Sequence, residues 1–331
     1  MKISEFFSYC IKCGIDADPR GQEEPLDELK KRAEEFKKKP PSEKKYFDKS
    51  RLTNPYADSR ILNNSSDNFV KKILCGIDID VGELLLADTL NRSGAKIDLV
   101  VSHHPVGYAY GSFYEVMGMQ ARIQAGWGVP INIAEELLEE RMDIVERSVM
   151  PRNHTQVSDA AAILGIPLLN VHTPADNHVA SFLGSMFKDK NNLKLKDVIE
   201  KLNAVEEYDL ARRKFLPGPK IVSGKPERSA GRIVVDMTGG TEGAVDAVCK
   251  LALAGCGTIV GMHFSEKHIK KARENHINMV IAGHIPSDNL GLNLLFDKVE
   301  KKYGRIQFVE CSGFRRIPRN RSLSKKPGKK T

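Results

Sequence analysis

The sequence lacks the features that would tie it to a membrane or to secretion. None of its apolar runs approaches the ~20 residues of a membrane-spanning helix. The first residues, MKISEFFSYCIKCGID, have too short an apolar core and no small-residue cleavage site for a signal peptide. Six irregularly spaced cysteines in 331 residues are typical of free thiols in a reducing compartment. We therefore expect a cytoplasmic protein that makes no use of a membrane.

Outside one segment, the chain also lacks an excess of charge of either sign. Residues 315–331 (RRIPRNRSLSKKPGKKT) carry eight of the 51 basic residues and no acidic residue, which leaves 43 basic residues against 43 acidic ones. Segments of this kind are usually disordered and solvated, and only sometimes bind nucleic acid. We interpret residues 315–331 as a basic disordered tail, with nucleic-acid binding as the minor alternative.

From Lys71 onward the sequence alternates apolar strands with helices. KKILCGIDID, KIDLVVSHHP, GRIVVDMTGG, TIVGMHF and INMVIAGHIP have the apolar character of strands, and TEGAVDAVCKLALAG between them has helical periodicity. Such an alternation predicts a mostly parallel sheet covered on both faces. DLVVSHHP aligns with NMVIAGHIP, pairing His104 with His284, and KILCGIDID aligns with RIVVDMTGG. We therefore predict an α/β fold of two similar lobes with mostly parallel or mixed sheets.

The predicted organisation has four parts. Residues 1–67 form a helical and polar extension, in which LDELKKRAEEFKKK is a surface helix that ends at a pair of prolines. Residues 68–225 form the first lobe, with a helical insertion and a linker rich in proline and glycine. Residues 226–314 form the second lobe, and residues 315–331 form the tail.

Histidines and aspartates follow three of the predicted strands. They are His103 and His104 after LVVS, His172 and Asp176 after PLLNV, and His284 and Asp288 after NMVIAG. Neighbouring side chains of a strand point to opposite faces, but Pro105 forces a turn that frees both rings of the histidine pair. Because ligands bind outside the carboxyl ends of strands in open α/β sheets, we expect these side chains to meet between the lobes.

This mixture of imidazoles and carboxylates predicts the class of metal. It suits Zn, Mn, Fe or Co, whereas Ca and Mg prefer oxygen ligands throughout. Five or six ligands exceed the three that a single catalytic zinc retains, so two divalent ions per chain that share a carboxylate use them better. The alternative role for Asp288 is a helix N-cap, for which Ser287 is the other candidate.

The motifs together resemble the dinuclear metal-centre proteins, the Nif-three-like family, some of which are labelled GTP cyclohydrolase I type 2 homologues. The resemblance rests on GIDID, DLVVSHHP, NVHTPAD, DMTGGTEG and NMVIAGHIPSDNLG, which lie within residues 70–315. It implies a homo-oligomeric ring, often a hexamer, and a centre of two metal ions. The metal ligands that it implies are His103, His104, Asp176, His284 and Asp288.

Two features depart from the family pattern. Glutamate is common in the family where this chain has Asp288, and the shorter side chain must shift the backbone or lose a bridging mode. The family's N-terminal Trp-Asp-Asn-x-Gly segment is absent, and ADSRIL at residues 57–62 is the nearest stretch. We therefore expect part of the substrate wall to differ.

Other residues near these motifs are candidates for supporting roles. Thr238, Gly239 and Gly240 lie between a strand and a helix, where backbone N–H groups can hold a phosphate, although a glycine pair there is more often a tight turn. Asp78 and Asp236 end their strands and either face the site or cap the next helix.

The remaining histidines divide into one candidate and a set without a pattern. His172 is expected to orient a carboxylate ligand from outside the ligand set. The others are interpreted as surface or packing residues: His154, His178, His263, His268 and His276. A zinc site at Cys10-x-x-Cys13 is a minor alternative, because no second pair of cysteines accompanies it.

The sequence favours a metal-dependent hydrolase that attacks a small molecule, with nucleotides among the candidates, through a metal-bound hydroxide. The alternative is a non-enzymatic protein that handles metal or serves as a regulatory scaffold in a homo-oligomeric ring. Both hypotheses use the same ligands, but only the first requires a cavity for a substrate beside the ions.

Overall fold

The computed structural model describes residues 1–64, 67–190 and 192–319, so residues 320–331 of the predicted basic tail lie outside the described residues. The strands are β1 (Arg60–Asn63), β2 (Lys72–Gly76), β3 (Leu99–Ser102), β4 (Leu168–Asn170), β5 (Lys220–Ser223), β6 (Arg232–Asp236), β7 (Cys256–Gly261), β8 (Asn278–Ile281) and β9 (Gln307–Glu310).

The helices connect and cover these strands. They are α1 (Ile3–Asp16), α2 (Glu23–Lys38), α3 (Pro41–Lys44), α4 (Val81–Arg92), α5 (Tyr108–Gly111), α6 (Met119–Gly126), α7 (Ile131–Val149), α8 (Gln156–Leu164), α9 (Thr173–Phe187), α10 (Leu195–Asn203), α11 (Glu206–Arg213), α12 (Ala247–Leu253), α13 (Glu266–Glu274) and α14 (His284–Tyr303), with 3₁₀ turns at Lys49–Leu52 and Phe113–Gly118. None of the described helices combines the length and apolar character that a membrane crossing requires.

The strands form two sheets of the same internal order. The first sheet runs β1-β4-β3-β2-β9 and the second runs β5-β8-β7-β6. In each sheet the first strand is antiparallel to its neighbour and the other pairs are parallel. The predicted α/β fold of two similar lobes is therefore confirmed. The chain crosses between the sheets, since β9 follows α14 but pairs with β2.

The common strand order corrects one predicted alignment. β2 corresponds to β6, as the alignment of KILCGIDID with RIVVDMTGG predicts, but β4 corresponds to β8 and β3 corresponds to β7. The structural equivalent of His284 is thus His172, and the pairing of His284 with His104 is wrong. The two segments align without a gap because both have an apolar strand followed by a histidine and a proline. This local similarity does not reflect the strand order of the sheets.

Helices α9 and α14 pack against each other between the two sheets. Ala175 of α9 and Leu292 of α14 belong to the core of the first sheet, whereas Val179 and Leu290 of the same helices belong to a core of the second. The helices approach so closely that a Cβ atom on Gly291 would lie 2.6 Å from the carbonyl oxygen of Ala175. This contact places the starts of both helices side by side.

The N-terminal segment contributes to the core of the first sheet. Ile3, Phe6 and Cys10 of α1 are fully buried there, and Cys13 is nearly so. Both cysteines of the Cys-x-x-Cys pair therefore face apolar side chains, and neither occurs in the groups of described residues that bring metal-ligand atoms together. The predicted surface helix is present as α2, which ends at Lys38 before the two prolines.

Candidate metal centre

The three predicted strand ends meet at one point between the sheets. The histidine pair follows β3, His172 follows β4 and precedes α9, and His284 begins α14 after β8. Asp176 and Asp288 each lie four residues beyond the histidine of their helix, so each carboxylate shares a helix face with that histidine. The first sheet thus supplies one side of the site, and the second sheet supplies the other.

Hydrogen bonds through Nδ1 fix the orientation of both rings of the histidine pair. The buried His103 donates Nδ1–H to the carbonyl oxygen of Val171 at 3.1 Å, and His104 donates Nδ1–H to the carboxylate of Asp78 at 2.7 Å. The backbone amide of His103 bonds to Gly76 at the end of β2, and that of His104 bonds to Ile77, the next residue. Since Nδ1 is used in each ring, Nε2 is the nitrogen that both rings present to the common centre.

The carboxylate of Asp288 lies between two sets of imidazoles. Its Oδ1 atom is 3.5 Å from Nε2 of His103, and its Oδ2 atom is 3.4 Å from Nε2 of His104 and 3.7 Å from Nε2 of His284. Asp176 places Oδ1 3.4 Å from Nε2 of His103. The structure therefore brings together the five residues that the family resemblance names.

The facing atoms in this cluster have no hydrogen-bond partner in the described part of the chain. Five buried atoms are in this state: Nε2 of His103, Nε2 of His104, Oδ1 of Asp176 and both carboxylate oxygens of Asp288. Leaving buried polar atoms unpaired is costly, so native proteins rarely do so without a function. Two ligands at ~2.1 Å from one ion lie about 3.0–3.4 Å apart at ordinary coordination angles, close to the separations observed here.

The ligand atoms fall into overlapping groups that are compatible with a metal ion. Within each group the atoms lie within 4.8 Å of one another, and the groups are His103-Asp176-Asp288, His104-His284-Asp288 and His103-His104-His172. The first two groups share Asp288. Buried histidine and aspartate groups could therefore bind a metal ion at this point.

The electrostatics of the cluster favour a positive charge among the carboxylates. Burial opposes protonation of His103, but Asp288 and Asp176 outweigh it and raise the pKa of His103 to about 10. Burial likewise opposes the charge on His104, whereas Asp288 and Asp78 raise its pKa to about 9. Burial would raise the pKa of Asp288, yet the neighbouring imidazoles hold it well below its usual range. The same carboxylates would stabilise a bound metal cation, and metal binding would displace the protons from the imidazoles.

The N-cap interpretation of Asp288 is wrong. Helix α14 begins at His284 with Gly283 at the cap position, so Asp288 lies in the second turn, and its oxygens accept no hydrogen bond from the described backbone. Ser287 is not a cap either, because its hydroxyl donates to the carbonyl oxygen of Gly283 at 2.5 Å and contacts the hydroxyl of Tyr208 at 2.9 Å.

His172 lies at the edge of the cluster, next to Asp176. Its Nε2 atom lies 3.5 Å from Oδ2 of Asp176, and its Nδ1–H donates to Asp58 at 2.7 Å. The fully buried carboxylate of Asp58 also accepts a hydrogen bond from Thr173 at 2.6 Å. Asp58 was not predicted as a site residue, although it belongs to the ADSRIL stretch that stands nearest to the missing family segment.

The supporting candidates of the second sheet lie beside the cluster. A small cavity against His284 is lined by Asp236, Thr238 and Gly240, among others. Burial and the charge of Glu242 raise the pKa of Asp236 to about 6. Thr238 donates to Asn177 at 2.7 Å.

The loop after β6 differs from the predicted strand–turn–helix. The helix predicted from residue 241 begins only at Ala247, so the Gly239–Gly240 turn does not lead directly into a helix N-terminus. Both glycines have positive φ, and the side chain of Gln120 donates to the carbonyl oxygens of Gly239 and Thr241 at 2.6 and 2.7 Å. The glycine pair therefore acts as a tight turn held by α6.

His263 is a site residue that the sequence analysis missed. Its ring lies 4.9 Å from the ring of His284, and its Nδ1–H donates to Glu242 at 2.9 Å. His263 follows β7, the structural equivalent of β3, so the rule that located the other histidines at strand ends also applies to it. The signal is present in TIVGMHF, but this single histidine has neither the adjacent histidine of the pair at His103 nor the aspartate four residues later that follows His172 and His284.

Comparison with solved structures finds several to which this chain is similar. The NIF3 superfamily protein from Sphaerobacter thermophilus is 26% identical, with 78% of this chain and 92% of that chain covered and a TM-score of 0.68. Reduced HcgD from Methanocaldococcus jannaschii is 15% identical, with 76% of this chain and 87% of that chain covered and a TM-score of 0.45. No protein-family model matches the chain, and no curated protein does. The first similarity confirms the resemblance that the motifs predict.

Proposed function

We propose that this chain, a NIF3-like protein, binds two divalent metal ions through His103, His104, Asp176, His284 and Asp288 and hydrolyses a small molecule with them. One observation carries the proposal: the two unpaired oxygens of Asp288 face different imidazoles, as a bridging carboxylate requires. The donor set of three imidazoles and two carboxylates suits Zn, Mn, Fe or Co.

The proposed ligands divide into two sets around Asp288. His103 and Asp176 form one set with Oδ1 of Asp288, and His104 and His284 form the other with Oδ2. Burial lowers the pKa of His284, which keeps that ring neutral and able to ligate. A bound pair of ions would acidify water and stabilise both oxygens of a displacement. His172, whose ring is fixed by Asp58, lies with Nε2 3.5 Å from Oδ2 of Asp176 and would restrict the orientation of that carboxylate by packing, from outside the ligand set.

A cavity beside the proposed centre favours catalysis over a scaffold role. It has a volume of about 490 Å³ and is lined by His104 and His284 together with residues of five other segments. This volume lies within the range of about 300–1,000 Å³ that is usual for small-molecule sites. A protein that only stores metal or binds partners through a ring needs no such space.

The cytoplasmic location and the homo-oligomeric ring are part of the same proposal. All six cysteines are free, as a reducing compartment would leave them. Light scattering coupled to gel filtration would give the mass of the assembly and show whether it matches a ring.

A turnover screen tests the proposed function. The metal-replete protein is incubated with nucleotides, phosphoesters and cyclic amides, with the metal-stripped protein and Asp288→Ala as controls. We expect hydrolysis of at least one compound by the replete protein that both controls lose. A replete protein of full metal content that hydrolyses none of these compounds would instead favour the non-enzymatic alternative.

A further inference from the structure

The cavity beside the metal centre has one wall without ligands of the proposed ions. That wall is built by Tyr110 and Phe113, which follow the histidine pair, and by Arg152 and His154, which precede α8. The rings of Tyr110 and Phe113 are stacked, with centroids 5.3 Å apart and planes 25° apart. His154 lies against the same platform, with its ring centroid 6.0 Å from that of Tyr110.

Arg152 lies on this aromatic platform and has no carboxylate partner among the described residues. Its guanidinium carbon is 5.5 Å from the centroid of the Tyr110 ring. Some other arginines are paired with carboxylates, for example Arg316 with Asp297 and Glu300, and Arg319 with Glu207. A guanidinium that stacks on a ring keeps its N–H groups at its edges, so the stacking orients Arg152 without using its donors.

Both acidic residues that line the cavity already accept hydrogen bonds. Asp78 accepts the Nδ1–H of His104, and Asp80 caps α4 by accepting the amide of Val81 at 2.7 Å. An anionic group in the cavity would be repelled from these carboxylates and attracted to Arg152. Among the described residues that line the cavity, Arg152 is the only arginine or lysine, and it forms no ion pair with either carboxylate.

We propose that Arg152 is the specificity-determining residue of the cavity, where it binds a carboxylate or phosphate group of a substrate whose opposite end lies at the metal centre. This inference rests on the proposed function, since the metal centre holds the reacting end. The planar guanidinium matches either anion with two parallel hydrogen bonds. The preferred substrate therefore carries an anionic group remote from the bond that is broken.

Linear dicarboxylates test this inference without knowledge of the substrate. Glutarate, adipate and pimelate are compared with valerate, hexanoate and heptanoate, which have the same chain lengths but only one carboxylate. Calorimetry on the zinc-loaded protein gives each dissociation constant. If one carboxylate binds at the metals and the second at Arg152, we expect the best dicarboxylate to bind roughly tenfold or more tightly than the monocarboxylate of the same chain length. Analogues of the dicarboxylates in which a phosphonate replaces the second carboxylate show which anion Arg152 prefers.

The variants Arg152→Gln and Arg147→Gln complete the test. Both remove one positive charge, but Arg147 pairs with Asp143 on the surface of α7 and does not line the cavity. We expect Arg152→Gln to abolish the advantage of the dicarboxylate while leaving the affinity for monocarboxylates and the metal content unchanged, and Arg147→Gln to retain the advantage. An advantage that survives Arg152→Gln, or that is absent from the fully metal-loaded wild type, would overturn the inference. Failure of the proposed metal centre would appear separately, as low metal content.

Discussion

His172 and His284 occupy equivalent positions in the two halves of the fold. Each follows the strand that pairs with the antiparallel edge strand of its sheet, and each stands at the start of a helix, in HTPADN and HIPSDN. Nε2 of His172 lies 3.5 Å from Asp176, and Nε2 of His284 lies 3.7 Å from Asp288. The two central helices thus carry the same pair of functional groups to one centre from opposite sheets.

Asp288 should control how much metal the chain retains. Asp288→Ala removes the carboxylate that both proposed ligand sets share, so we expect the metal content to fall by at least half. Asp288→Glu keeps the carboxylate and adds one methylene of reach, so we expect it to retain or raise the content. Elemental analysis after purification without chelator measures both. Wild-type content in the alanine variant would remove Asp288 from the ligand set.

Asp58 should tighten metal binding although it lies outside the ligand set. Asp58→Asn keeps the shape of the side chain but removes the charge that holds Nδ1–H of His172. Loss of a partner that contacts a metal ligand directly typically costs 10–100-fold in metal affinity, and because Asp58 acts through His172 we expect a loss near the lower end of that range. Competition with a chromogenic zinc chelator measures the change.

Asp98→Asn is the matched control for Asp58→Asn. The Asp98 carboxylate accepts the backbone amides of Lys71 and Lys72 at the start of β2, away from the centre. We expect it to lower the free energy of unfolding without altering zinc affinity. Equal zinc affinity in wild type and Asp58→Asn would assign Asp58 a purely structural role.

Much of the site was predictable because strand ends are local features of a sequence. Apolar runs that stop at a histidine indicate where a strand ends, and parallel strands bring their carboxyl ends to one edge. The residues around Asp288 and His103 are therefore predictable without knowledge of the strand order. Asp58 is not predictable in this way, because it reaches the site through tertiary packing against His172.

Other features depend on tertiary context and are not predictable from the local sequence. Helix α12 begins only at Ala247 because the side chain of Gln120 donates hydrogen bonds to the loop before it. These bonds join residues more than a hundred positions apart in the sequence. The equivalence of β4 with β8 follows from strand order, which local similarity between DLVVSHHP and NMVIAGHIP obscures. The burial of α1 depends on α14, which comes almost at the end of the chain.

His178 should make stability depend on pH in mildly acidic solution. Burial lowers the pKa of this ring to about 4, although Nδ1–H donates to the carbonyl oxygen of Pro174 at 2.7 Å. The unfolded chain takes up the proton near pH 6.5 and the folded chain does not. The free energy of unfolding should therefore fall as the pH decreases from about 6.5 to about 4, by up to about 3 kcal/mol from this residue.

Asn in place of His178 isolates this effect, because it keeps a donor for Pro174 but cannot titrate in this range. Urea denaturation of the metal-free protein at both ends of the range should show a smaller loss in His178→Asn than in wild type. The control His276→Asn changes an exposed histidine in a turn and should lose as much stability as wild type. The same pH dependence in wild type and His178→Asn would contradict the assignment.

Anomalous scattering from crystals of the metal-loaded protein tests the central claim most directly. Data on both sides of the absorption edge of the bound metal locate each ion independently of the surrounding density. We predict two peaks ~3.5–4 Å apart on either side of the Asp288 carboxylate, one beside His103 and Asp176 and the other beside His104 and His284. A single peak that does not contact Asp288, or no peak at this cluster in a crystal grown with the metal, would contradict the account.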